Sequence, residues 1–157
     1  MVNEGICMLT IRDITASDEA DWRELWAQYL AFYKVAIPPA VTDATFARLL
    51  DPASALFGRV AICGDRVIGF AISLTYEATW AATPVCYLED LFVNPAERGT
   101  GVGRALLQDL VDMAKQRGWS RLEWHTVASN VVARRLYDQF VQADDHVRYR
   151  MILVTGS

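Results

Sequence analysis

The stretch that most constrains this chain runs from Val85 to Arg117. Val85–Val93 is its least polar run and reads as a strand. Val102–Arg117 reads as a helix, with Val102, Leu106, Leu110, Met113 and Ala114 on one face and Gly118 as its stop. Between them lies Asn94-Pro95-Ala96-Glu97-Arg98-Gly99-Thr100-Gly101. A glycine-rich turn that opens a helix leaves backbone N–H groups unpaired where the macrodipole is positive. That is an anion site, and phosphate is its common occupant. Gly99, Gly101 and Gly103 let the backbone approach a bulky ligand, and Arg98 adds a positive charge at the loop mouth. A P-loop would need Lys-Ser/Thr after its last glycine, but Arg104-Ala105 stands there. The dinucleotide fingerprint would need a glycine where Arg104 stands. What remains is Arg98-x-x-Gly101-x-Gly103 directly after a strand.

The rest of the chain supplies a frame for this unit. Met8–Ile14 reads as a first strand. Thr15-Ala16-Ser17-Asp18 resembles a capping box with Asp in place of Glu. The helix that follows carries Trp22, Leu25, Trp26, Tyr29, Phe32 and Tyr33 and ends at Ile37-Pro38-Pro39. Thr42 caps a second helix with Phe46, Leu49 and Leu50 inward. Arg59–Cys63 and Val67–Thr75 form a hairpin through Gly64-Asp65. Arg121–Val127 is a strand, Asn130–Phe140 a helix and His146–Val154 a final strand. Strands mixed with helices in this order predict one mixed α/β sheet and a single domain over residues 1–157.

Composition narrows the function classes. A net charge of −4 argues against a nucleic-acid partner. No apolar run approaches the ~20 residues of a membrane span, so no membrane partner is expected. Three cysteines, Cys7, Cys63 and Cys86, have no metal spacing, so no metal is expected and a reduced, cytoplasmic setting is the simplest reading.

Arg98-x-x-Gly101-x-Gly103 after Leu91-Phe92-Val93 resembles the pyrophosphate loop of the GNAT superfamily, the acetyl-CoA-dependent N-acetyltransferases. The resemblance extends to Asn130 at the start of the next helix, to Tyr137 seven residues on, and to the small Ala133 between them. It implies a GNAT-type α/β fold with a central, mostly antiparallel sheet splayed beside Val85–Val93. It also implies a cofactor site for acetyl-CoA made of Leu91, Phe92, Val93, Arg98, Gly99, Thr100, Gly101, Val102, Gly103, Arg104, Asn130, Ala133 and Tyr137.

Tyr87-Leu88-Glu89-Asp90-Leu91-Phe92-Val93 is similar to the diamine (spermidine/spermine) acetyltransferase branch and its small bacterial relatives. That branch implies Glu89 at the amine, Tyr137 as the acid, and a homodimer. Asp90 on the opposite strand face, Tyr33 and Trp80 are further candidates for the acceptor pocket, with the Pro38-Pro39 and Trp80 loops suited to closing it. Relatives carry a glycine soon after the tyrosine helix. Tyr137-Asp138-Gln139-Phe140-Val141 has none, so the final strand is expected to leave that helix by a different path.

The chemistry sets demands on these residues. An alkyl ammonium of pKa ~10.4 is free base in about one part in 2,500 at pH 7. A carboxylate near pKa ~4.3 takes that proton poorly, so Glu89 is expected to act through ordered water or to position the amine. A tyrosine near pKa ~10 can protonate a thiolate whose acid has pKa ~8.5. A backbone N–H of Leu91–Val93 suits the oxyanion. No cysteine sits in an activating context, which favours direct attack. The acceptor is expected to be a small-molecule primary amine: a polyamine, diamine or amino acid. Acetylation of a protein lysine or N-terminus, and a non-catalytic acetyl-CoA sensor, are the alternatives. A sensor would keep the loop and lose Glu89 or Tyr137; this chain keeps both.

Overall fold

The computed structural model describes residues 7–154. Five strands form one sheet in the order β1 (Leu9–Asp13), β2 (Leu56–Cys63), β3 (Arg66–Tyr76), β4 (Val85–Val93), β5 (Arg121–Trp124). The first four are antiparallel neighbours, and β5 joins β4 in parallel. The sequence reading of a mixed, mostly antiparallel α/β sheet is the observed architecture. Helices α1 (Glu19–Phe32) and α2 (Pro39–Leu50) cover one face, and α3 (Val102–Arg117) covers the other. A short helix, α4 (Val131–Tyr137), follows β5.

The apolar periodicities explain these layers. Trp22, Leu25 and Trp26 of α1 pack with Phe46 and Leu49 of α2 against Val60, Phe70, Ile72 and Phe92. Trp22 is fully buried, worth on the order of 3 kcal/mol relative to exposure. On the other face Val102, Leu106, Leu107 and Leu110 meet Ala61, Ala71 and Leu88. Arg59 on β2 clasps Asp109 on α3 with two bonds of 2.8 Å.

Several boundaries differ from the sequence reading. The Asp18 carboxylate does accept the Thr15 N–H at 2.8 Å, but it closes a 3₁₀ turn over Ala16–Asp18 ahead of α1. Helix α1 stops at Phe32, short of the prolines, because Lys34 turns left-handed (φ 54°) and Val35 N–H reaches back to Leu30 O. Pro39 opens α2 instead of ending α1, which suits proline's fixed φ. Thr42 therefore lies inside α2, where its hydroxyl accepts from Trp26 Nε1 at 3.2 Å, and Leu50 is exposed.

Two corrections are larger. Cys7 and Cys63 form a disulfide, where the sequence reading kept all cysteines reduced. The register pairs Leu9 with Cys63, so Cys7 arrives beside it from 56 residues away in sequence. And residues 146–154 form no strand: the segment has no regular secondary structure and is exposed.

Candidate active site

A register shift on β4 creates the site. Ile72 of β3 pairs with Asp90, and Ser73 with Leu88, so Glu89 is an extra, bulged residue. Beyond this point β4 turns from β5, whose pairing ends at Leu88–Trp124. That ends β5 at Trp124, short of the expected Val127. It also leaves the β5-side edge of Glu89–Val93 unused by a strand, the splay implied by the resemblance.

A cleft of about 520 Å³ opens into the splay. Leu91, Phe92 and Val93 form its floor, and Arg98, Gly99, Gly101, Val102, Gly103 and Arg104 one wall. Asn130, Ala133 and Tyr137 form the wall opposite, and Phe32 and Tyr33 close the α1 side. Thus most of the expected cofactor residues meet around one space. Thr100 is absent from the lining; its hydroxyl donates to Glu97 O at 2.5 Å and braces the loop.

The loop is shaped as an anion cradle. Gly99 and Gly101 adopt φ of 78° and 90°, a region costly for other residues, and a Cβ on either would meet nothing within 4 Å. Ala105 is bonded to Gly101 O, so the N–H groups of Val102, Gly103 and Arg104 precede the first full helical bond. Gly103 lines the cleft and also serves packing: a Cβ there would press on Leu136 at 3.3 Å, so it lets α4 approach α3. The Arg98 guanidinium lies over the rings of Phe32 (5.5 Å) and Phe92 (5.3 Å), while Asp109 is engaged by Arg59. Asn130 caps α4, its side chain accepting from Ala133 N–H at 3.3 Å. A concave apolar channel ending in a positive, N–H-lined loop fits acetyl-CoA, with its apolar arm and pyrophosphate.

Tyr137 projects from the last turn of α4 beside Trp124, ring centroids 5.5 Å apart. Burial, with Tyr33 nearby, pushes its pKa up to about 12, so it is a neutral donor across the physiological range. Burial pushes the Cys86 thiol up to about 11, and it is the one free cysteine among the described residues. A thiolate relay has no candidate there.

The two acids of β4 part company at the bulge. Glu89 is exposed. Asp90 turns toward α1, where Tyr29 Oη donates to it at 2.5 Å. Burial raises the Asp90 pKa to about 6 against the pull of the Tyr29 bond, with Glu89 adding to the rise. Trp80 is 97% exposed and, like Pro38 and Pro39, does not line the cleft. Sequence reasoning gave no role to the Tyr87 hydroxyl, which lies 2.5 Å from His125 Nδ1, or to Arg135 and Gln139 in the lining. The sequence places Tyr29 only among the aromatic residues of its helix, since a partner 61 positions away carries no local signal.

A splayed α/β sheet with a glycine-rich anion loop and an apolar channel defines a CoA-dependent acyltransferase of the GNAT class. Residues 17–140 match the Acetyltransferase (GNAT) family, and the chain belongs to that family of acetyl-CoA-dependent N-acetyltransferases. It is similar to a D-amino-acid N-acetyltransferase of Saccharomyces cerevisiae, 36% identical over 153 residues, 96% of this chain and 92% of that one. It is also similar to a thialysine N-epsilon-acetyltransferase of Caenorhabditis elegans, 32% identical over 84 residues, 54% of this chain and 52% of that one. Among solved structures, a ribosomal-protein-alanine N-acetyltransferase from Brucella melitensis biovar Abortus 2308 shares the fold, with a TM-score of 0.78 at 24% identity, covering 93% of this chain and 100% of that one.

Proposed function

We propose that this enzyme acetylates the primary amine of a small molecule that carries a second cationic centre, such as a polyamine, diamine or basic amino acid. The observation that carries the reading is that the β4 bulge sets two carboxylates, exposed Glu89 and Tyr29-bound Asp90, directly before Leu91, where the lining of the cleft begins, although neither lines the cleft itself. Its relatives named for D-amino acids and thialysine agree with a small amine as acceptor.

Bound acetyl-CoA supplies the activated acyl group. Arg98 and the N–H groups of the Gly99–Arg104 turn hold its pyrophosphate, and Asn130 and Ala133 leave room for its arm. A backbone N–H on the free edge of Leu91–Val93 stabilises the carbonyl oxygen as it gains charge. Asp90 attracts the ammonium, and Glu89 orients the amine and passes its proton to solvent through water. Tyr137 gives its hydroxyl proton to the departing sulfur and regains one from solvent. A donor at about 12 facing a thiolate whose acid is ~8.5 is uphill by about 5 kcal/mol for full transfer. Tyr137 therefore transfers its proton late, through a hydrogen bond that tightens as sulfur charge grows. Two copies of the chain form the working unit, in keeping with the exposed apolar segment after α4.

Glu89→Gln tests the acceptor reading. It should lower kcat/KM for dicationic amines more than for neutral ones and leave acetyl-CoA affinity nearly unchanged. Equal loss for both acceptor types would assign Glu89 to proton removal alone, and a preference for peptides would overturn the small-amine reading.

A further inference from the structure

Phe32 is the last residue of α1 and is 53% exposed, a position where an aromatic side chain adds little to the core. Its ring instead lines the cleft, and the Arg98 guanidinium lies 5.5 Å from its centroid. The same guanidinium lies 5.3 Å from the centroid of Phe92 on β4. Two rings from two separate elements therefore hold one cation at the mouth of the anion loop.

Three features say what this holding does. First, neither ring is loose. Phe92 is buried, with the Phe70 and Tyr29 centroids 6.1 and 5.8 Å away. Phe32 meets Tyr33 edge-on at 5.0 Å, and Tyr33 meets Tyr29 at 5.0 Å, so the aromatic row of α1 sets its place. Second, Arg98 forms no ion pair with a carboxylate among the described residues, although Glu97 precedes it in the lining. Arg59, in contrast, is engaged by both Asp13 and Asp109. A ring face orients a guanidinium without neutralising it, so the N–H groups stay available to an anion. A carboxylate in the same place would compete with phosphate. Third, the other cation flanking the glycines is seated in the same way. The Arg104 guanidinium lies 5.2 Å from the Phe140 centroid and donates to Gln139. A long side chain oriented before its ligand arrives loses less freedom on binding.

We propose that Phe32 is a positioning residue for the cofactor: its ring, together with Phe92, holds the Arg98 guanidinium in the orientation that meets the pyrophosphate of acetyl-CoA. Helix α1 thereby takes part in cofactor binding through a side chain that has no group to bond a phosphate. Phe92 is fixed by the core, so Phe32 is the half of the pair that can be changed without disturbing the sheet. This inference rests on the pyrophosphate role proposed above for Arg98.

The test is a double-mutant cycle in acetyl-CoA affinity, read by calorimetry on the full chain, with Phe32→Leu, Phe32→Tyr, Arg98→Ala and the Phe32→Leu/Arg98→Ala pair. Phe32→Leu, which keeps the helix and much of the apolar volume, should weaken acetyl-CoA binding by about 5- to 10-fold. Phe32→Tyr keeps the ring face and should stay within about 2-fold of the unaltered chain. Arg98→Ala should lose at least about 10-fold, and adding Phe32→Leu to it should cost nothing further. A silent Phe32→Leu beside a damaging Arg98→Ala would overturn the positioning role and leave the Arg98 reading. An equal loss from Phe32→Leu with and without Arg98 would mean that the ring packs on the cofactor itself, which also overturns it. So would a Phe32→Tyr as weak as Phe32→Leu. An Arg98→Ala chain with unchanged affinity would remove the pyrophosphate role of Arg98, and this inference with it.

Discussion

Tyr137 carries the sharpest single-residue claim. Tyr137→Phe keeps the ring against Trp124 and removes only the hydroxyl. In the acid role, kcat should fall by roughly 10²–10⁴-fold while acetyl-CoA affinity hardly moves. An acyl donor with a more acidic thiol should recover much of that loss; a deficit unchanged across donor thiols would take the acid role from Tyr137. Asp90 makes a prediction in stability. Its folded pKa of about 6 lies above the ordinary carboxylate value, so the folded state holds a proton that the unfolded chain has released. Stability should therefore fall as pH rises from about 4 to about 6, by on the order of 3 kcal/mol, and stay reduced above that. Asp90→Asn keeps an acceptor for Tyr29 and should flatten this slope in thermal unfolding across that window. An unchanged slope would mean that another group sets it.

At the scale of elements, the proposed role of the Arg98–Arg104 turn is to hold the cofactor through backbone shape. Gly101→Glu places a side chain on a residue at φ 90° and a negative charge where pyrophosphate belongs. Micromolar acetyl-CoA binding, about −8 kcal/mol, should be largely lost in calorimetry, while Arg98→Lys should lose far less. Much of this unit was legible in the sequence. Strand β4 and helix α3 have the predicted bounds, because each carries a continuous apolar signal with a local stop. The bulge at Glu89 was not legible, since it depends on the register of β3 against β4. Missing it hid the separate fates of Glu89 and Asp90, the bond from Tyr29 and the early end of β5. The Cys7–Cys63 link was hidden in the same way, by pairing between strands distant in sequence. Residues 146–154 carry an alternating apolar pattern, yet they belong to no strand, because such a pattern forms one only where an edge receives it.

For the whole molecule, the layers serve one arrangement. Two helices on one face fix Phe92 and Asp90, one helix on the other fixes the anion turn, and the splay between β4 and β5 leaves a channel joining them. No helix among the described residues is long and apolar enough to cross a membrane. The account stands on acetyl transfer to a small cationic amine in that channel. Its most direct test is to incubate the protein with acetyl-CoA and a panel of diamines, amino acids, aminoglycosides and peptides, following thiol release and the mass of each acceptor. The account predicts stoichiometric thiol release and the mass of one added acetyl group on a dicationic small amine, with the highest kcat/KM in the panel. Tight acetyl-CoA binding with no acetylated product from any acceptor would contradict it and make the protein a sensor.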